Sequence, residues 1–147
     1  NALIEDALAK GARLLAGGLS DSTQMRATLL DGVTREMRIW HEESFGPVKS
    51  IIRVKDEAEA LAVANESEYG LSSAIYSRDS ARAWNLAQNL QTGICHINGP
   101  TVHDEAQMPF GGCKSSGYGR FGGRAGIAEF TELRWITLQT VPRELPF

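Results

Sequence analysis

Two adjacent glutamates, an aromatic ring and a Gly-Pro break stand together in Glu42-Glu43-Ser44-Phe45-Gly46-Pro47-Val48, directly ahead of the apolar run 48–54. A carboxylate can accept two hydrogen bonds from a vicinal diol, and a Phe face can pack on a flat heterocycle. The stretch therefore suits a ligand that carries both a ring and a pair of hydroxyls. A Phe beside acidic residues is poorly placed for a core, because its neighbours need water. A solvated acidic turn at the mouth of a strand uses the same residues, and pattern alone favours that plainer account.

Other chemical groups carry less. Cys95, His96, His103, Asp104 and Glu105 are metal-type donors, but Cys95 and His96 are adjacent on an expected strand and point to opposite faces. A buried thiol and a surface loop are expected there, with no metal. Cys113 beside Lys114 would form a thiolate more readily, yet nothing supplies the partnered base a cysteine nucleophile needs. A small residue in a tight loop is expected instead. Residues 117–122 match G-x-G-x-x-G, a fingerprint that must follow a strand. Residues 108–112 read as a loop, so it is rejected as a dinucleotide site. Lys114-Ser115 resembles the end of a phosphate loop, but Cys113 stands where the last glycine must be. Trp84 and Trp135 are expected to be packing residues.

The elements that must position these groups follow from periodicity and caps. Residues 2–8 read as a helix with Leu3, Ala7 and Leu8 on one stripe, ended by Gly11. Strands are expected at 12–16 and 27–30, and residues 35–43 are ambiguous. A strand at 48–54 precedes a helix capped by Asp56, with Glu59 in capping-box register, running to about Glu66. Beyond Gly70 a strand covers 71–76. Asp79 or Ser80 opens a second helix with the stripe Ala83, Leu86, Ala87 and Leu90. Gly93 ends it and a third strand covers 94–97. Strand and helix alternation predicts an α/β fold, a parallel sheet with flanking helices and right-handed crossovers. Ligands sit beyond the carboxyl ends of such strands, so the loop 98–110 is the expected place for substrate contacts. A glycine-rich stretch, a short helix at 124–130 and a β-like tail at 133–140 complete the chain.

The 147 residues suffice for one domain, at 42% hydrophobic and 22% charged with a net charge of −3. No basic field marks a nucleic-acid partner, and the apolar runs are too short to span a bilayer. Two cysteines without paired spacing fit a reducing compartment, the cytoplasm. The first residue is Asn1 and no signal-peptide pattern follows, so a piece of a longer protein is expected.

The ordered set of motifs resembles the carboxy-terminal part of the NAD(P)-dependent aldehyde dehydrogenase superfamily. The set comprises Glu42-Glu43-Ser44-Phe45-Gly46-Pro47-Val48, Ala64-Asn65 with Tyr69-Gly70-Leu71, Pro109-Phe110-Gly111-Gly112-Cys113-Lys114-Ser115-Ser116-Gly117, Gly119-Arg120 and Phe130-Thr131-Glu132. The loop from Cys95 to Glu105 looks most like the aromatic-aldehyde branch, which includes salicylaldehyde, benzaldehyde and vanillin dehydrogenases.

The resemblance implies that Glu43 holds the ribose diol of the nicotinamide half of NAD, or of NADP. It implies that Phe45 packs beside that ribose and the nicotinamide ring, and that Phe110 lines the aldehyde pocket with the loop 99–107. Residues 1–131 would be the last part of the catalytic domain and 132–147 an oligomerisation strand joining a homodimer or homotetramer. The family's chemistry uses a cysteine thiolate, hydride transfer to the nicotinamide and a glutamate-activated water. Neither that cysteine motif nor that glutamate motif occurs in this chain, and Cys95 and Cys113 do not align with the nucleophile. No catalytic residue is assigned, the chain alone is expected to be inactive, and the cofactor-binding domain and nucleophile are expected upstream. Arg124 stands where many relatives carry a glutamate of a proton relay, and a cation cannot serve as that base. Two other readings of the residues are a semialdehyde or aliphatic-aldehyde dehydrogenase of the same superfamily, and a stand-alone interaction module without chemistry.

Overall fold

The computed structural model describes residues 1–144 and 146. Helix α1 (Ala2–Ala9) turns its Ile4 and Ala7 inward and ends at Lys10, after which Gly11 takes a positive φ of 98°. The chain then enters strand β1 (Arg13–Ala16) and, after a Gly-Gly turn and a serine-rich loop, strand β2 (Thr28–Asp31). The ambiguous segment resolves into the short helix α2 (Arg38–His41), followed by strand β3 (Val48–Ile51). Strand β2 pairs antiparallel with β1 and parallel with β3, in register Thr28 to Val48 through Asp31 to Ile51. Ile4, Ala7, Leu30, Val33, Met37 and Val48 are buried together against this sheet. They are the apolar residues of α1, β2, β3 and the turn before α2, so one small core holds the first third of the chain.

The two caps read from the sequence are in place. Helix α3 (Glu57–Glu66) starts where the Asp56 carboxylate accepts the Glu59 amide at 2.8 Å, and the Glu59 carboxylate reaches back to the Lys55 amide at 2.8 Å. The first satisfies an amide that the first helical turn would otherwise leave open, and the second ties the residue before the cap to the helix. Strand β4 (Tyr69–Gly70) and strand β5 (Ser72–Ile75) follow, and Asp79 caps helix α4 (Ser80–Ala87) by accepting the Arg82 amide at 3.0 Å. Strand β6 (Ile94–Ile97) pairs parallel with β5, and strand β7 (Cys113–Lys114) pairs antiparallel with β4. Helix α5 (Gly123–Glu129) is the last element.

Two expectations need correction. The strands at 48–54, 71–76 and 94–97 do not form one sheet: β3 is paired with β2, β5 with β6, and no ladder joins β3 to β5 among the described residues. Periodicity identifies a strand but carries no information about its neighbour, and β3 finds its parallel partner upstream. Trp84 and Trp135 do not pack, being 61% and 91% exposed. The α4 stripe buries Ala83 and half-buries Leu86, Ala87 and Leu90, so Trp84, one residue off the stripe, faces outward. The tail at 133–140 makes no ladder among the described residues, and its Leu133, Ile136 and Leu138 are exposed. Within the expected oligomerisation strand, Leu145 and Phe147 lie outside the described residues.

Asp31 ties the first sheet together. It is buried at the end of β2 and accepts hydrogen bonds from Arg53, just beyond β3, at 2.9 and 3.0 Å, and from Arg13 of β1. Those hydrogen bonds, Arg53 first and Arg13 second, hold its carboxyl down at about 2 from an ordinary 3.8. A depressed folded-state pKa stabilises the fold above the unfolded value and loses that contribution as the pH falls through the folded one. Asp31→Asn in the intact protein is therefore expected to lower the urea midpoint at neutral pH. The difference from wild type stays constant down to about pH 4 and narrows as the pH falls toward 2. A difference independent of pH below 4 would show that the carboxylate charge is not what ties the strands.

Candidate functional site

Two clefts open on either side of the turn that leads into β6. The first, of about 690 Å³, runs between the turn after α2 and the segment that carries β4 and β5; Glu43, Trp40, Ser67, Leu71, Thr92 and Ser116 are on its walls. The second, of about 390 Å³, lies between β6 and the loop after it; Ile94, His96, His103, Glu105, Met108 and Phe110 are on its walls. Thr92 belongs to the first and Gly93 to the second, so the two share one backbone turn.

The paired glutamates divide their work. Glu42 is engaged in a two-pronged ion pair with Arg38, at 2.7 and 2.8 Å, one helical turn back. The Arg38 guanidinium holds its carboxyl below the usual carboxylate range. Glu43 has no hydrogen-bond partner among the described residues and stands exposed at the first cleft. A free carboxylate at a cleft is the acceptor a diol needs, so the fold singles out Glu43 over Glu42. Phe45 is 95% exposed and is on neither cleft wall. The Gly46-Pro47 break follows at once, and the Pro47 carbonyl accepts the Thr28 amide at 2.8 Å, where the β2–β3 ladder starts. Phe45 is thus projected from the last turn before a fixed strand.

The wall opposite Glu43 is built by contacts between residues far apart in sequence. The Asn65 side chain accepts from the Gln91 amide at 2.8 Å and donates to the Asn89 carbonyl at 2.8 Å, joining the end of α3 to the end of α4. Lys114 donates to the Asn65 and Ser67 carbonyls at 2.7 and 2.8 Å, a cationic cap on carbonyls that the last turn of α3 leaves open. Ser116 accepts the Gly70 amide at 2.9 Å, and the Cys113 thiol donates to the Gln91 carbonyl at 3.1 Å. Gly93 has to be glycine: a Cβ there would overlap the Gly111 carbonyl. That approach sets the Gly111-Gly112 backbone against the turn before β6, and Phe110 lies on the second cleft.

Sequence reasoning singled out Glu43 and Phe110, and Asn65 only as part of a motif without its contacts; it did not bring out Trp40. Arg35 stacks on Trp40 at 5.2 Å while forming an ion pair with Glu66, which links α2 to α3. No local pattern announces such pairings. Residues 117–122 fold as a loop stitched by the Phe110–Phe121 bridge, and the element before them is the two-residue β7, so the strand a dinucleotide fingerprint requires is not there. Among the described residues no group of three or more His, Cys, Asp or Glu could hold a metal ion. No helix among them is long and apolar enough to cross a membrane. Arg124 is exposed at the start of α5.

Residues 1–136 match the aldehyde dehydrogenase family, and the chain belongs to that family. It is 62% identical to a vanillin dehydrogenase of Pseudomonas fluorescens over 99% of this chain and 30% of that protein. A crystal structure of a salicylaldehyde dehydrogenase from Pseudomonas putida G7 complexed with salicylaldehyde superposes with a TM-score of 0.92 at 50% identity, covering 100% of this chain and 30% of that one. An aldehyde dehydrogenase of Mycobacterium tuberculosis complexed with NAD+ superposes with a TM-score of 0.81 at 34% identity, covering 89% of this chain and 28% of that one. The chain spans about 30% of the length of the curated relatives it matches.

The Asn65 clamp gives a direct test of how the wall is held. Asn65→Ala in the intact protein leaves the Gln91 amide and the Asn89 carbonyl without partners and is expected to cost about 1–2 kcal/mol. Hydrogen exchange should rise at the ends of α3 and α4, with the β1–β3 amides unchanged. Unchanged protection at residues 89–91 would show that the clamp holds nothing.

Proposed function

We propose that the intact protein oxidises an aromatic aldehyde to its carboxylate with NAD, or NADP, and that this chain contributes contacts to the nicotinamide half of the cofactor and to the substrate ring. The observation that carries the reading is the second cleft. Phe110, Ile94 and Met108 give it apolar faces suited to a flat ring, while Asp104 and Glu105 on the same walls would repel the anionic tail of a semialdehyde. The likeness to vanillin and salicylaldehyde dehydrogenases supports the same substrate class.

The first cleft suits the cofactor's ribose. Glu43 is the unengaged carboxylate there and would accept both hydroxyls of the nicotinamide ribose. Phe45, exposed on the following turn, would pack beside that ribose and ring. When bound, the cofactor supplies the hydride acceptor. This chain's part is to orient and to exclude water: Glu43 fixes the sugar, and Phe110 packs against the aldehyde. The catalytic groups belong to the rest of the enzyme, and Arg124 provides no base for a relay. Residues 132–147 act as an oligomerisation strand beside a catalytic part formed by 1–131. The exposed apolar side chains of Leu133, Trp135 and Ile136 support addition to a neighbouring subunit's sheet edge in a homodimer or homotetramer. Cys95 and Cys113 are free thiols, which supports a cytoplasmic setting.

Steady-state rates of the intact enzyme on benzaldehyde-type and succinate-semialdehyde-type substrates test the reading. Aromatic aldehydes are expected to have the higher kcat/KM, and Phe110→Ala should lower it more for them than for small aliphatic aldehydes. A preference for the semialdehyde would overturn the substrate class, and equal losses in the variant would reduce Phe110 to packing. Glu43→Gln is expected to weaken cofactor binding about tenfold, the scale of one charge-assisted hydrogen bond, and to slow hydride transfer. Unchanged cofactor affinity and turnover would remove Glu43 from the site.

A further inference from the structure

We propose that His103 is a specificity-determining residue that reads a ring hydroxyl on the aromatic aldehyde, an inference that rests on the second cleft being the aldehyde pocket. His103 Nε2 lies 3.3 Å from Glu105 Oε1. An ionised carboxylate only accepts, so in the neutral ring the proton sits on Nε2 and the lone pair is left on Nδ1. Nδ1 has no hydrogen-bond partner among the described residues. Glu105 is itself anchored, because Gln107 donates to its other oxygen at 2.5 Å. The neutral tautomer that pairs with Glu105 is the one protonated on Nε2.

The ring is also held from its other side. His96 of β6 meets His103 edge to face, with centroids 5.4 Å apart and planes at 85°. His96 Nε2 is buried and has no hydrogen-bond partner, so His96 supports its neighbour by ring contact and takes no polar partner from it. The result is a mixed wall: the His103 imidazole lines the same cleft as the apolar side chains of Phe110, Met108 and Ile94. An aromatic ring packed on that apolar side presents its substituents to the imidazole. A phenolic O–H is a donor that Nδ1 can accept, whereas an unsubstituted ring offers it no partner. A site built to pair with a substrate hydroxyl discriminates against the analogue that lacks it.

The test compares kcat/KM of the intact enzyme for the three hydroxybenzaldehydes and for benzaldehyde at saturating cofactor. His103→Phe keeps a ring against His96 and removes the acceptor; His103→Asn places an amide oxygen near the Nδ1 position. Wild type is expected to prefer at least one hydroxybenzaldehyde over benzaldehyde. In His103→Phe that preference falls about tenfold, chiefly through KM, and His103→Asn recovers most of it. Glu105→Gln, which leaves the ring in place but no longer forces the proton onto Nε2, is expected to lower the preference a few-fold. A preference that stays within twofold of wild type in both His103→Phe and Glu105→Gln overturns the proposal, as does equal loss on hydroxylated and unsubstituted rings. A wild-type enzyme that oxidises no aromatic aldehyde overturns the parent reading with it. One that oxidises them all with a preference indifferent to His103 overturns this inference alone.

Discussion

The contact between Gly93 and the Gly111 carbonyl sets the geometry on which both clefts depend. At that point the turn entering β6 and the glycine pair after Phe110 approach backbone to backbone, closer than any side chain permits. Glycine admits such an approach because it has no Cβ, at the cost of a looser unfolded chain. Thr92 then faces one cleft and Gly93 the other. Lys114, Ser116 and Cys113 hold the segment against the ends of α3 and α4 and against β4 by hydrogen bonds to backbone groups. The Gly-Gly-Cys-Lys-Ser-Ser run therefore serves as a brace. Its lysine completes a helix end, its serine receives an amide, and its thiol meets a carbonyl.

The first sheet is secured by a different device. Asp31 is a buried carboxylate between two arginines whose own side chains are largely exposed. Breaking such a group's partnership leaves a buried charge uncompensated, so it fastens β1, β2 and the exit of β3 in one register. Strand β3 is fixed at its exit by this tie and at its entry by the Pro47–Thr28 hydrogen bond. Between them they define the direction in which the Glu43–Phe45 turn projects. Charge pairing and close packing thus govern separate parts of the chain; the first cleft lies where they meet, and the second lies within the later part.

Much of this architecture was legible in the residues because its signals are local. Asp56 with Glu59, and Asp79, mark helix starts through side chains three positions from the amides they accept. The stripe of Ala83, Leu86, Ala87 and Leu90 faces inward as its spacing requires. The acidic stretch with its lone Phe announced a surface feature, and Phe45 is indeed exposed. Strand order was illegible, since β3 pairs with β2 and leaves β5 to β6, a choice made by tertiary packing. Trp84 misled because a large ring suggests a core, while its position off the α4 stripe decides otherwise. Asn65 and Lys114 are 49 positions apart, and no periodicity links them. Glu43 was singled out by the resemblance, and what only the fold adds is that Arg38 occupies Glu42.

The central claim is that the cleft at Glu43 receives the cofactor's ribose while the cleft at Phe110 receives the substrate's ring, with the Thr92–Gly93 turn between them. The most direct measurement is a crystal structure of the intact protein with NAD+ and an aromatic carboxylate product bound. The account predicts ribose hydroxyls within hydrogen-bond distance of both Glu43 carboxylate oxygens and the aromatic ring packed on Phe110. A ribose bound away from Glu43, or a ring seated outside the Phe110 cleft, would contradict it.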